Sequence, residues 1–319
     1  MIHGAWNHLN PQSVSCNAEV AVLVAGEPRS GPDVWRKLRD MLVVPNQADI
    51  LMHVWQHELA IQMQSTLQPC AATSEPYNMT TKHAMLALVP RLKLINKHLY
   101  ISDKRETPHI VDFFYIKWKA SRLLVHVEHH LRKRQYTIVT FVRPDIVFLA
   151  PVRLRLTQPE WTLALLHKDH RPDSNDTNGT DPLSRGMCGQ TVNDWFAYGT
   201  SVSMNLYLSG FLTLPHVHDL MLATPGYCKW WKCHNFRYKG TFLNNAESVL
   251  GFYIRMVGLG CNDVSEPFAP ADYVVKARLD ARRVRDWRGL PGHPGRPRTR
   301  VMNTSNGSSS LGPPYLPHD

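Results

Sequence analysis

A chain of 319 residues with 43% hydrophobic and 19% charged residues can bury a substantial core, which excludes a disordered protein. It contains no run of about 18 apolar residues, so no membrane-spanning helix is expected. Its net charge of +10 does not make the core a nucleic-acid binder, because residues 276–300 hold nine Lys/Arg and two Asp and so carry +7 of it.

Residues 1–17 read as a flexible lead-in. "EVAVLVAGEPRS" (19–30) is a buried-strand run that ends in a glycine and a charged turn. Pro32-Asp33 opens a helix in which Val34, Leu38, Met41 and Leu42 keep helical spacing. "ADILMHVW" (48–55) reads as a second strand and "ELAIQMQSTL" (58–67) as a second helix. Strand, helix, strand, helix is the start of an α/β domain with a mostly parallel central sheet. A polar loop is expected over 68–82, then a helix over 83–99 that Pro90 bends or breaks. The clearest helix is 111–133, where Phe113, Ile116, Ala120, Leu124, Val127 and Leu131 form one stripe. "TIVTFVRPDIVFLAP" (137–151) follows as a strand, and "WTLALLH" (161–167) as another. A low-complexity loop (171–186), the segment 194–211 and a late helix over 245–260 complete a domain spanning 18–275. Residues 276–319 have the basic, Pro/Gly/Ser-rich composition of a disordered tail.

The strand at 137–151 has a charged interruption, Arg143-Pro144-Asp145. Pro144 cannot donate to a ladder, so regular pairing fails there and a carboxylate is set at the carboxyl end of a sheet strand. In open α/β sheets that edge is where ligands bind. A buried Asp145 needs a partner, which could be Arg143, a metal ion or a ligand donor. A plain Arg–Asp pair fixing a turn satisfies the same residues.

Six cysteines (16, 70, 188, 228, 233, 261) and five sequons, at Asn78, Asn175, Asn178, Asn303 and Asn306, point to the lumen of the secretory pathway (Golgi) and to one or more disulfides. The opening residues lack the apolar stretch of a signal peptide, which points to the cytoplasm instead. His126, His129 and His130 share a helix face at a spacing able to chelate zinc, but without an adjacent Cys or Asp they read better as a solvated face. Cys228, Cys233 and His234 fit a disulfide, local or to Cys188 or Cys261, better than a zinc site. The nearby Trp230, Trp231, Phe236 and Tyr238 suit either a core or a stacking surface for a sugar or base. No Walker loop, Gly-x-Ser-x-Gly or His-Glu-x-x-His occurs, which removes those enzyme classes.

"GEPRS", "ADILMHVW", "FFYIKWKASRLLVHVE", "RPDIVF" and "NDWFAYGTSVSMNLY", taken in that order, resemble a family. It is the poorly characterised group of Arg-x-Asp glycosyltransferase-like proteins of the nucleotide-diphospho-sugar transferase (GT-A) fold, related to transferases of capsule and lipopolysaccharide synthesis. The likeness spans residues 18–262. It implies a three-layer αβα sandwich, a nucleotide-diphosphate sugar donor and a glycan or protein acceptor; the placement of the charge gives no reason to expect a nucleic-acid partner. Gly26 and Arg29 match the loop that receives the nucleotide, where a glycine lets backbone approach and an arginine can fork onto phosphate. Arg143 and Asp145 match the Arg-x-Asp that stands in place of the Asp-x-Asp holding Mn²⁺ or Mg²⁺ on the diphosphate. Val147 stands where a second aspartate would be, so Asp169 or His167 would have to complete a metal site at Asp145, or Arg143 supplies the positive charge instead. Asp194 is a candidate general base, and a plain helix N-cap is the other reading of it. Trp195 replaces the family's usual glutamine beside it. Glu247 matches a family glutamate that serves as base or as acceptor for a sugar hydroxyl, and a first-turn glutamate also stabilises a helix dipole. A binding protein that keeps the fold without catalysis is the alternative function.

Overall fold

The computed structural model describes residues 15–28, 30–55, 58–75, 109–148, 150–156, 161–165, 195–223, 246–263 and 274–276. The first half contains β1 (Val20–Gly26), α1 (Pro32–Leu38), β2 (Asp49–Trp55), α2 (Glu58–Leu67) and β3 (Ala71–Glu75). Then come α3 (His109–His126), β4 (Ile138–Val142), β5 (Ile146–Phe148), β6 (Thr162–Leu165) and β7 (Phe196–Gly199). The chain continues through α4 (Ser201–Leu208), α5 (Leu214–Ala223), α6 (Ala246–Met256), β8 (Gly260–Asp263) and β9 (Val274–Lys276).

Seven strands form one sheet in the order β3-β2-β1-β4-β7-β6-β8, and β5 pairs with β9 in a second, two-stranded sheet. In the large sheet β7 is antiparallel to both its neighbours, and every other pairing is parallel. β1 explains why: "VAVLVAG" is apolar on both faces, as a strand covered on both sides must be. Its alternation sends Ala21, Leu23 and Ala25 to one core and Val22 and Val24 to the other. The first core is closed by α3, α4, α5 and α6, through Phe114, Leu124, Tyr207, Val217 and Tyr253 among others. The second is closed by α1 and α2, through Trp35, Leu38, Met63 and Leu67. Each fully buried aliphatic or aromatic side chain there contributes about 1.5–3 kcal/mol. The mixed α/β architecture with a mostly parallel sheet is therefore present. Among the described residues no helix is long and apolar enough to cross a membrane.

Four local features differ from the sequence expectation. The stretch expected as polar loop contains β3, whose "AATSE" lacks an apolar pattern because it pairs on one side only. The buried face of α3 is offset from the expected stripe: Val111, Phe114 and Leu123 are in the core, and Phe113 and Ile116 are only partly buried. After His126, Val127–Arg132 widens into a π-turn, and Leu131 in it is 48% exposed. The strand expected over 137–151 is two strands in different sheets, separated at Arg143-Pro144-Asp145. Helix α5 had no counterpart in the expected elements, although Pro215 near its start suits a helix N-terminus. The helix expected at 83–99, the sequons and nearly all of the tail fall outside the described residues.

The end of the lead-in is tied to the domain. Cys16 is buried and disulfide-bonded to Cys70 just ahead of β3. Asp49 accepts from Ala18 N at 3.1 Å and from Tyr136 Oη at 3.0 Å. Arg132 stacks on the Tyr136 ring at 3.5 Å and donates to the Ala18 carbonyl. These contacts close the amino edge of the sheet.

Candidate functional site

The order of the strands locates the site. The chain lays down β1, β2 and β3 outwards in one direction, then returns with β4 on the other flank of β1. β1 and β4 therefore lie side by side where the strand order reverses, a topological switch point, the place where open α/β sheets receive ligands. Gly26 ends β1 and Arg143 follows β4, so two of the sequence candidates meet there.

Gly26 has φ +130, a conformation that side chains strain to adopt. A Cβ on Gly26 would lie 3.4 Å from Pro144 Cδ, so the two strand ends are in contact. Ser30 Oγ donates to the Pro144 carbonyl at 2.6 Å, and Trp35 Nε1 donates to Ser30 Oγ at 2.8 Å. The start of α1 is thus bonded to the turn after β4. On the other side, Arg143 N donates to the Trp195 carbonyl at 3.1 Å and extends the β4–β7 ladder past its last register pair, Val142 with Phe196.

Within the turn, Arg143 Nε donates to Asp145 Oδ1 at 3.0 Å and Nη2 to Oδ2 at 2.8 Å. This is the planar two-point pairing that a guanidinium makes with a carboxylate. The Asp145 side chain is 1% exposed and that of Arg143 is 21% exposed. The carboxylate is buried and the arginine side chain is partly exposed.

A divalent cation at Asp145 does not fit these surroundings. Both carboxylate oxygens are already held by Arg143. Val147, at the position of a second carboxylate, is buried in the α1/α2 core and pairs with Val275 across β5 and β9. Hard cations need several oxygen ligands, and a single engaged carboxylate does not supply them. His167 and Asp169 lie outside the described residues. Among the described residues the one trio of metal-capable groups is Cys16, Asp49 and Cys70, on the opposite, amino edge, and its two sulfurs are joined as a disulfide.

Of the remaining candidates, Arg29 and Asp194 lie outside the described residues, as do Cys228, Cys233, His234 and the neighbouring aromatics. Glu247 is in the first turn of α6, and its side chain is likewise not described. Helix α6 runs into β8 through a short link and β8 is parallel to β6, so its first turn lies towards the carboxyl edge. His126 and His130 stack with ring centroids 4.9 Å apart, and burial together with His130 lowers the pKa of His126. No third ligand joins them among the described residues.

Two buried polar groups near the site were not singled out from the sequence. Lys117 is fully buried; its Nζ bonds Tyr207 Oη at 2.9 Å and sits 3.7 Å over the Phe141 ring, one residue short of the end of β4. Its signal was a lysine at i+3 and i+4 from the apolar Phe114 and Phe113, on the buried side of α3. His53, paired in register with Ala25, is held neutral: burial and, less, Lys119 lower its pKa to about 3. A histidine within an apolar strand run was the only hint of it.

No protein-family model matches the chain, and no curated protein matches it either.

Proposed function

We propose that this protein is a glycosyltransferase of GT-A type that binds a nucleotide-diphosphate sugar at the β1/β4 crevice and moves the sugar to a hydroxyl of a glycan or protein acceptor. The observation that carries this reading is the meeting of Gly26 and Arg143-Pro144-Asp145 at the topological switch of a mostly parallel sheet. Close backbone approach and a partly exposed, oriented guanidinium are what a diphosphate group needs. In the reaction the acceptor hydroxyl loses its proton to a carboxylate, with Asp194 and Glu247 as the candidates. Its oxygen bonds to the anomeric carbon while the bond from that carbon to the diphosphate breaks. The electron pair leaves with the diphosphate, whose growing negative charge Arg143 and Arg29 would stabilise. The Cys16–Cys70 disulfide supports placement in an oxidising compartment, the secretory lumen or Golgi.

The test is titration calorimetry of UDP, GDP and CMP and their common sugar conjugates, followed by assay of sugar release from the conjugate that binds. One nucleotide should bind, and Arg143→Lys, which keeps the charge but loses the fork, should weaken it by about tenfold or more. Silence across the whole panel from folded protein refutes the reading. A second reading, a nucleotide-sugar binder that transfers nothing, is favoured by the engagement of Asp145 and the apolar Val147. Binding without sugar release from any acceptor or water would select it.

A further inference from the structure

We propose that nucleotide binding at the β1/β4 crevice requires no divalent cation, and that Asp145 is a positioning residue that aims Arg143 rather than a metal ligand. This rests on the nucleotide site proposed above. The two hydrogen bonds at 3.0 and 2.8 Å use both oxygens of Asp145, and the side chain is almost wholly removed from solvent. A cation seated there would first have to displace the guanidinium. It would then leave two positive groups side by side in a partly buried turn, with one carboxylate between them. No rotamer change brings in a second carboxylate from the next inward position, because Val147 is fixed in a paired strand within the α1/α2 core.

The reverse arrangement is self-consistent. A long arginine side chain loses rotamer freedom when it is aimed, and a two-point bond to a buried anion holds it in one plane. Pro144, between the two residues, holds the turn: its carbonyl is bonded to Ser30 and its ring lies against Gly26. The guanidinium, on a side chain that is 21% exposed, then carries at the strand end the positive charge that a metal would otherwise supply.

The experiment compares UDP and GDP binding to the full chain in excess EDTA and in excess Mn²⁺, for wild type and Asp145→Asn. The expected affinities of the wild type agree within about twofold in the two buffers. Asp145→Asn keeps the shape and removes the charge that holds the fork, so it weakens binding about tenfold, and equally in both buffers. Affinity is read per folded molecule, with the folded fraction taken from circular dichroism. An Asp145 that only supports the fold would lower that fraction and leave the affinity alone, which overturns the positioning role. Binding that appears only with Mn²⁺ overturns the inference and leaves the nucleotide site standing. No binding in either buffer overturns both. If Asp145→Asn does not fold, the wild-type comparison decides the metal question and Arg143→Lys, which keeps the charge but loses the two-point bond, decides the positioning: affinity about tenfold weaker in both buffers is expected, and unchanged affinity overturns it.

Discussion

Deleting the Arg143 side chain tests the central contact of the turn most directly. Asp145 is 1% exposed and takes both its bonds from one guanidinium. Unit charges about 4 Å apart attract by about 4 kcal/mol at an effective dielectric of about 20, and desolvation offsets part of this. Arg143 is 21% exposed, so the pair lies between a surface bridge, worth about 0.2–1 kcal/mol, and a buried one whose breakage costs about 3–5 kcal/mol. Arg143→Ala is therefore expected to cost about 3 kcal/mol, mostly as the orphaned charge of Asp145. Adding Asp145→Asn removes that charge and should recover about 1–2 kcal/mol. Urea unfolding of wild type, both single variants and the double variant gives the coupling, provided the m values agree. The cycle also cancels whatever else Arg143 touches. A coupling below about 0.5 kcal/mol, or a double variant no more stable than Arg143→Ala, would show that Asp145 is compensated elsewhere and that the pair does not organise the turn.

Three further outcomes are expected. Folded His53 stays neutral because its pKa is lowered to about 3, whereas the unfolded chain takes up that proton below its ordinary pKa of 6.5. Stability from this group is thus complete above pH 6.5 and falls as pH drops towards 3, by about 2 kcal/mol between pH 6.5 and 5. His53→Leu should flatten that stretch of the urea-stability profile relative to wild type, and an unchanged slope would assign the loss to other groups. Reducing the Cys16–Cys70 bond, whose sequence separation is 54, should cost about 4 kcal/mol in the chain-entropy view, read as a lower urea midpoint with dithiothreitol; an unchanged midpoint would mean that the bond does not form. Ser30→Ala strands the Trp35 indole N–H and one bond of the Pro144 carbonyl, for an expected loss of about 1–3 kcal/mol in unfolding experiments. A loss below about 0.5 kcal/mol would mean that water replaces the hydroxyl.

Much of this arrangement was legible in the residues, for identifiable reasons. β1 could be read because a strand covered on both faces must be apolar throughout, and Gly26 because a glycine ending such a run lets backbone approach a ligand; its φ of +130 came only with the fold. Helix α2 has the bounds its periodicity predicts. β3 was hidden because an edge strand with one partner has no pattern to keep. The π-turn that holds Leu131 was hidden because it leaves no composition signal. An even cysteine count predicts bonding but not partners, so Cys16–Cys70 needed the fold to bring residues 54 apart in sequence together. The partner of Asp145 was open between Arg143, a metal and a ligand because alternation along a strand gives residues 143 and 145 the same face without saying whether they touch. The turn conformation around Pro144 decides it.

One turn thereby serves both the fold and the edge. The missing N–H of Pro144 ends β4, and the chain leaves the large sheet to pair β5 with β9. A proline alone would accomplish that, with any polar residue on either side. An ion pair alone would hold the turn without needing a glycine at φ +130 across from it. Together they give a glycine strand end packed on the proline ring, a buried carboxylate and a partly exposed arginine bonded to it, all at the shared carboxyl end of β1 and β4. The alternative, a charge pair that only stabilises, is weak on energetic grounds, because a buried pair rarely outperforms apolar residues of the same volume. Val142, Ile146 and Val147, all buried beside it, show that apolar side chains are readily accommodated in this turn's flanks. On the proposed reading, the charge between them serves what binds at the edge more than it serves the fold.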